Sequence, residues 1–408
     1  MIDRHLLFAV IALLTFSIIF SYSLATYTVL HFEYSPYHFL IRQTFAVGIG
    51  ISIIVALSWL DPDKWFNPMG LTLFLFFFIL LITMQFFPSN YVSAVSGAKR
   101  WIKLGSFSIA PVEFFKIGFV FFLAWSFSRK LLDREAMSFK EEIKVFFPYI
   151  IVFFVAVLLI AILQKDLGQV VVLGGTLAVL FLFAGSSFKF FLSLLGGALM
   201  GIALLILSAP HRIARVASWW GSVQDKVLAI FPFEVVQELK VEVAKEPYQI
   251  SNSLNAIHNG GWSGQGLSNG QFELGYLSEV HTDFVLSGIA EEFGFLGILL
   301  VTGLILFIIY RIFKIAALVQ NPTYYLFSVG VGLVIALSFI INSFGISGLF
   351  PIKGIAVPFL SYGGSHIIAS SLAIGLVLMI SKKRVQKAEI DTKLFEEIQE
   401  SRNAYATG

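Results

Sequence analysis

Asp283, Glu291 and Glu292 fall within SEVHTDFVLSGIAEEFGFLG, residues 278–297, where a polar stretch gives way to an apolar run. Only 13% of the chain is charged, so acids gathered at such a boundary need a physical reason. Asp283 follows His281 and Thr282 and opens the run, a place where a carboxylate caps a helix. The same carboxylate is a general base if a substrate proton comes within hydrogen-bond reach. Glu291 lies eight positions on, on roughly the same helical face, while Glu292 points away. Both glutamates sit about two turns deep, to be met by a cation such as Lys116 or by a buried polar network.

Three other stretches carry chemistry. SGAKRWIKLGSFSIAPVEFFK, residues 96–116, holds Lys99, Arg100 and Lys103, followed by Glu113 and Lys116 three apart on one helical face. This is either a structural ion pair with snorkelling lysines or a cation cluster suited to a diphosphate. LQKDLGQ, residues 163–169, places Gln164 and Asp166 on a tight connection, where Asp favours turns and Gly168 breaks a helix. GLFPIKGIAVPFLSYGGSH, residues 348–366, contains Lys353 and Ser361 among helix breakers Pro351, Gly354 and Pro358. Broken backbone at membrane depth is tolerated where it lines a cavity or is buried in protein. A Walker loop, a zinc-protease helix and a nucleophile elbow are all missing from the sequence. The residues alone imply an outward-facing polar cavity holding cations and an acid.

The elements that must position them are membrane helices. Of 408 residues, 57% are hydrophobic and 44 are phenylalanine. A helix needs about 20 apolar residues to cross a bilayer, and unbroken runs such as GLTLFLFFFILLITMQFF exclude an alternating barrel pattern. Ten spans are expected, at about 6–30, 39–60, 70–87, 111–128, 146–163, 169–185, 188–208, 284–310, 323–344 and 355–380. The chain reads as an all-α polytopic membrane protein, one domain over 1–380 with a polar tail over 381–408. The N-terminal run reads as a retained first helix rather than a cleaved signal. Lys and Arg favour the loops on the side of the termini by roughly two to one, which predicts cytoplasmic termini.

The outside segment, about 209–283, opens on PHRIARVASWWG, with Arg212, Arg215 and an interfacial pair, Trp219 and Trp220. Its middle, FEVVQELKVEVAKEP, fits a short surface helix, and its glycine-rich end an irregular loop. Scattered cations exclude a nucleic-acid stripe. With no cysteine, thiol catalysis and thiolate metal sites are excluded as well.

Taken together, GAKRWIKLG…PVEFFK, QKDLG, YLSEVHTDF…EEFG and PIKGIAVPFLSYGGS resemble the SEDS family of bacterial cell-wall proteins, which includes FtsW and RodA. The resemblance covers about residues 5–380 in order, and PIKG leans to the division-type member. It implies a glycosyltransferase of the cytoplasmic membrane that polymerises lipid II at the outer face, beside a class B penicillin-binding protein and other division or elongation proteins. It implies that Asp283 takes the acceptor proton or holds a divalent cation, Mg or Mn. Lys99, Arg100, Lys116, Arg212 and Arg215 would steady the leaving diphosphate, with Glu113, Gln164 and Asp166 orienting them. His281, Lys353 and Ser361 would complete the substrate site. Ala110, Val112, Lys165, Gln169, Glu273 and Ser278 depart from the family pattern. An elongation-type polymerase, a lipid II flippase and a division scaffold are the competing readings.

Overall fold

The computed structural model describes residues 2–88, 90–95, 98–105, 107–130, 137–228, 248–272, 274–277, 279–351 and 354–383. Among them nine helices are long and apolar enough to cross a membrane. They are α1 (Arg4–Ser23), α3 (His38–Trp59), α4 (Pro62–Thr83, with a short extension), α5 (Pro111–Lys130), α6 (Phe139–Val157, running on as a π-helical turn) and α8 (Phe188–Leu207). The others are α11 (Val285–Ala317), α12 (Pro322–Ile346) and α13 (Gly364–Ile380). The expected tenth span is α7 (Leu167–Phe183), apolar but only 17 residues long. The chain is a multi-pass membrane protein. Short helices α2 (Thr26–His31), α9 (Pro210–Leu228) and α10 (Tyr248–Gly260) lie between the spans.

Helix starts follow local chemistry. Asp61 caps α4 ahead of Pro62, Asn321 caps α12 ahead of Pro322, and Ser138 and Glu141 form a capping box on α6. α4 and α6 therefore begin earlier than their apolar runs suggest. The bundle is not uniform. Within α5, 83% of the apolar window is buried in protein, against 6% for α8. The span richest in charge is thus central, where neighbours can satisfy it, and α8 faces lipid.

Contacts sort the polar groups into two ends. At one end Asp3 pairs with Arg311 and bonds Ser381, Asp63 meets Tyr324 and Lys383, and Glu142 holds Ser187. The four stretches singled out for chemistry gather at the other end, away from Asp3 and Lys383.

α11 explains how that second end is built. At 33 residues it would be about 50 Å long if straight, well beyond a core of about 30 Å. It breaks at Gly294, whose φ of 65° and ψ of −162° lie outside the helical region. Arg311 reaches the start of α1 while Glu292 meets Ser23 at its end, so the part after the break matches α1 in length. Val285–Phe293 lies where α1 ends and packs on α10, with Ser287 bonded to Ser253 at 2.7 Å. The break leaves the carbonyls of Glu291 and Glu292 to accept from Gln265 and Gly266, both at 2.9 Å. A Cβ on Gly294 would stand 2.5 Å from the backbone of Trp262 and Gly264. Gly294→Ala is expected to cost roughly 3 kcal/mol or more through strain and clash. Thermal unfolding in detergent measures this, and an unchanged midpoint would show that the loop can give way.

Two expectations need revision. β1 (Val92–Val95), β2 (Ala98–Leu104) and β3 (Phe107–Ile109) form a three-stranded antiparallel sheet, where only a cationic loop was expected. α10 and most of α9 were also missed, because they stand on polar sequence without an apolar run. The expected surface helix, at 233–247, and the tail beyond 383 lie outside the described residues.

Candidate active site

Asp283 sits in the turn before α11. The residue that caps α11 is Phe284, with no side-chain cap bond, so Asp283 is not the helix cap that its position suggested. Its backbone N–H donates to Glu279 O at 3.1 Å, and its carbonyl accepts from Asn342 Nδ2 at 2.7 Å. The Asp283 carboxylate accepts no hydrogen bond from any described residue. It lies over Gly354, where a Cβ would come within 2.9 Å of Oδ2 and where φ is +60°. Glycine therefore leaves room for the carboxylate. The loops around Asp283 are wound tightly, with Lys165, Glu279 and Phe359 all in the left-handed region. Such strain persists only where the surroundings hold it.

Two direct bonds and a bridge through Asn342 hold the 354–363 loop against the Asp283 turn. Ser361, fully buried, donates through Oγ to Thr282 O at 2.7 Å and accepts from Val357 N at 2.8 Å. Tyr362 N donates to His281 O at 2.9 Å, and Asn342 Nδ2 also donates to Ile355 O at 2.6 Å. His281 packs in a cluster with the rings of Phe39 and Tyr362, which also touch each other. Lys353 lies outside the described residues.

The cations divide. Arg100 on β2 donates to the carbonyls of Gln164 at 2.7 Å and Lys165 at 3.0 Å, and its charge acts on both Asp166 and Asp283. The pairing of β2 with β1 shifts at Arg100, the extra residue between the Lys99 and Trp101 pairs, and Lys99 instead donates to the carbonyls of Gln85 and Phe87 at 2.7 and 3.0 Å. Arg212 is likewise occupied, bonding Leu205 O at 2.6 Å and Ala161 O at 2.7 Å. Arg215 is exposed on α9. Asp166 caps α7, accepting from Gln169 N at 3.3 Å, as its turn position suggested. Gln164 orients Arg100 through its carbonyl, while its side chain meets Met84 Sδ at 3.5 Å.

Deeper in the protein, Glu113 collects three donors. Lys116 Nζ is 2.9 Å from Oε2, His366 Nδ1 is 2.9 Å from the same oxygen, and Gln169 Nε2 donates to Oε1 at 3.0 Å. A cavity of about 30 Å³ beside them is lined in part by Lys116, Ser338 and Ser370. That is room for about two waters. Glu291 and Glu292 do not meet Lys116. Glu291 accepts from Asn259 and from the backbone of Gln271 and Phe272, and Glu292 from Ser23 and Ser268. They pin the glycine-rich loop to α11 and leave Asp283 as the acid of the opening stretch beside the cations.

Burial, then the charges of Glu279 and Asp166, push Asp283 up to about 6, against a smaller pull from Arg100. Desolvation disfavours a carboxylate, and like charges add to the effect. Burial holds His281 below the usual imidazole range, hence neutral near neutral pH. A base at Asp283 is protonated and idle below about pH 6 and competent above it. Turnover should therefore rise as pH passes through about 6. Glu279→Gln removes one raising charge and should move this acid limb to lower pH. Identical limbs in the pH–rate profiles of the two proteins would assign the limb to another group.

Among the described residues no three His, Asp or Glu side chains converge to hold a metal ion. Mg and Mn need only one or two carboxylates beside the phosphates of a substrate, so Asp283, with Asp166 near enough to act on it, is the residue that would hold such an ion, which would supply charge to a leaving diphosphate. The sequence reading missed Gln169, Asn342, His366 and Gln43, whose Oε1 accepts from Gly363 N at 3.3 Å. Each is a polar residue within an apolar span, and that was the available signal.

Fold and site define a polytopic helical membrane protein with an acid and a cation among the loops at one end. Residues 4–386 match the FtsW/RodA/SpoVE family of cell cycle proteins, and the chain belongs to that family. FtsW of Helicobacter pylori strain 26695, named a probable peptidoglycan glycosyltransferase, is 47% identical over 381 residues, covering 93% of this chain and 98% of its own. A Shewanella sediminis protein of the same name is 33% identical over 389 residues, covering 94% and 87%. The Thermus thermophilus RodA crystal structure superposes with a TM-score of 0.61 at 23% identity, covering 95% of this chain and 98% of that one. A chain from a structure described as "structural coordination of polymerization and crosslinking by a peptidoglycan synthase complex" gives 0.69 at 24%, covering 95% and 99%. The fold and the FtsW-like character expected from the resemblance both hold.

Proposed function

We propose that the chain is a peptidoglycan glycosyltransferase of the FtsW type, polymerising lipid II in septal wall synthesis. The observation that carries the reading is Asp283, a partly buried carboxylate lying over Gly354 with no protein donor among the described residues, within reach of the charge of Arg100. Asp283 takes the proton of an acceptor sugar hydroxyl. The hydroxyl oxygen bonds the donor's anomeric carbon, and the bond to the diphosphate oxygen breaks. Undecaprenyl diphosphate leaves with that electron pair, its charge met by Arg100. Lys353 and Arg215 are further cations for the same diphosphate. Lys99 and Arg212, each donating to two carbonyls, act by holding the mouth in shape.

The mouth faces outward and both termini are cytoplasmic, in line with the Lys and Arg bias. One transmembrane domain over 1–380 carries the site, and a class B penicillin-binding protein crosslinks its product. Transport would favour broken helices meeting near the midplane. Here the break in α11 lies level with the end of α1, which supports chemistry at a surface. Purified protein in vesicles, with lipid II and with or without the transpeptidase, tests the reading. Polymer is expected. Lipid II that crosses the bilayer unconsumed would make this a flippase, and neither outcome with the partner present would make it a scaffold.

A further inference from the structure

His366 lies in the first turn of α13 and is buried, yet it makes no contact with the Asp283 carboxylate. Both of its ring nitrogens face acceptors, Nδ1 at 2.9 Å from Glu113 Oε2 and Nε2 at 3.3 Å from Val357 O, so the ring bonds both only with an N–H on each nitrogen. The Val357 N–H donates to Ser361 Oγ at 2.8 Å, and that hydroxyl donates to Thr282 O at 2.7 Å. Thr282 is joined by its peptide bond to Asp283. An unbroken line of polar contacts therefore runs from the Lys116–Glu113–Gln169 cluster on α5 and α7 to the backbone of the proposed base.

The two ends of this line differ in rigidity. Glu113 lies on the most enclosed helix and is gripped by three donors. The 354–363 stretch, by contrast, has neither helix nor strand to hold it. It carries a left-handed Phe359, so it needs outside support to keep one shape. The small cavity along Glu113, Lys116 and His366 means that side-chain packing alone does not brace this point.

We propose that His366 is a positioning residue, a two-ended strut that transmits the rigidity of the Glu113 cluster through Val357 and Ser361 to the turn bearing Asp283. The inference rests on the reading of Asp283 as the base. A group held in place through such a chain affects how well the base is aimed more than how tightly substrate binds. Displacement of about 1 Å is enough to cost a hundredfold in rate.

The test uses the full-length protein in detergent or vesicles, as wild type, His366→Ala, His366→Gln, Ser361→Ala and the double variant His366→Ala/Ser361→Ala. Polymerisation gives kcat and KM for lipid II, and hydrogen–deuterium exchange over 278–284 reports on the turn whether or not the protein is active. His366→Ala should lower kcat about tenfold or more with KM changed less than about twofold, and should speed exchange at Thr282 and Asp283. His366→Gln, able to reach one acceptor, should recover part of the rate. The double variant should lose little more than the worse single variant, since both cut one line. Unchanged exchange in His366→Ala, or losses that multiply in the double variant, would overturn the strut. A wild type that forms no polymer, with exchange still faster in His366→Ala, would keep the strut and remove the glycosyltransferase reading.

Discussion

Asp283→Asn is expected to abolish glycan polymerisation and, at neutral pH, to raise the stability of the folded protein. The first effect follows from removing the base, a contribution of about a hundred- to ten-thousandfold. The second follows from the proton affinity of Asp283. Its carboxyl binds protons up to about pH 6 in the folded protein, against an ordinary value of 3.8. The folded state therefore holds the proton more tightly, so this group's contribution to stability falls as pH rises from the lower value to the higher. Above about 6 the penalty is complete, roughly 2–3 kcal/mol after allowance for the partial exposure of the side chain. Asn fills the same space without a charge to desolvate. Thermal unfolding of both proteins at pH 5 and pH 8 gives the check, with the gain expected at pH 8 and shrinking at pH 5. An inactive variant that is also less stable would mean that Asp283 serves the fold. An active variant would take away its chemical role.

Glu113→Ala should be the most damaging single change to the fold. It leaves the Lys116 ammonium in the interior without its carboxylate and strips Gln169 and His366 of a shared acceptor. Breaking one side of a buried pair costs about 3–5 kcal/mol, a large part of the stability of a typical domain. Little folded protein should reach the membrane. Lys116→Met added to Glu113→Ala removes the stranded charge and should restore much of the folded yield, because replacing a whole buried pair by apolar groups is often neutral. Fluorescence-detected size exclusion of the three proteins reports the yields. A double variant no better than Glu113→Ala would show that Gln169 and His366, and not Lys116, carry the dependence on Glu113. The two predictions differ in kind: Asp283 is held at the expense of stability, while Glu113 is a source of it.

Much of this architecture is legible in the sequence because a membrane makes local composition decisive. Every expected span contains a helix, although the last begins at Gly364 and not near 355, and the Glu113–Lys116 pair follows from a spacing of three on one helix. Asp166 caps a helix where Asp and Gly168 marked a turn. The errors concern short elements and partners. The strand AKRWIKL does not alternate apolar and polar residues, because its pairing shifts at Arg100, so no period-2 signal marked it. Asp283 looked like a cap because a cap is defined by local sequence, whereas its actual surroundings come from Gly354, Asn342, Arg100 and Asp166, all distant in the chain.

By itself, then, the sequence determines a many-span helical membrane protein, the end at which its polar residues collect, and the acids and cations available there. Hydrophobic length and i,i+3 spacing are short-range properties, and they suffice for that much. Which acid is left without a protein donor, which cation it faces, and which glutamates are spent on holding a loop were decided only by the tertiary structure. Those outcomes depend on the break at Gly294 and on loops packed across helices far apart in sequence. No local pattern encodes how much water such packing leaves around each charge.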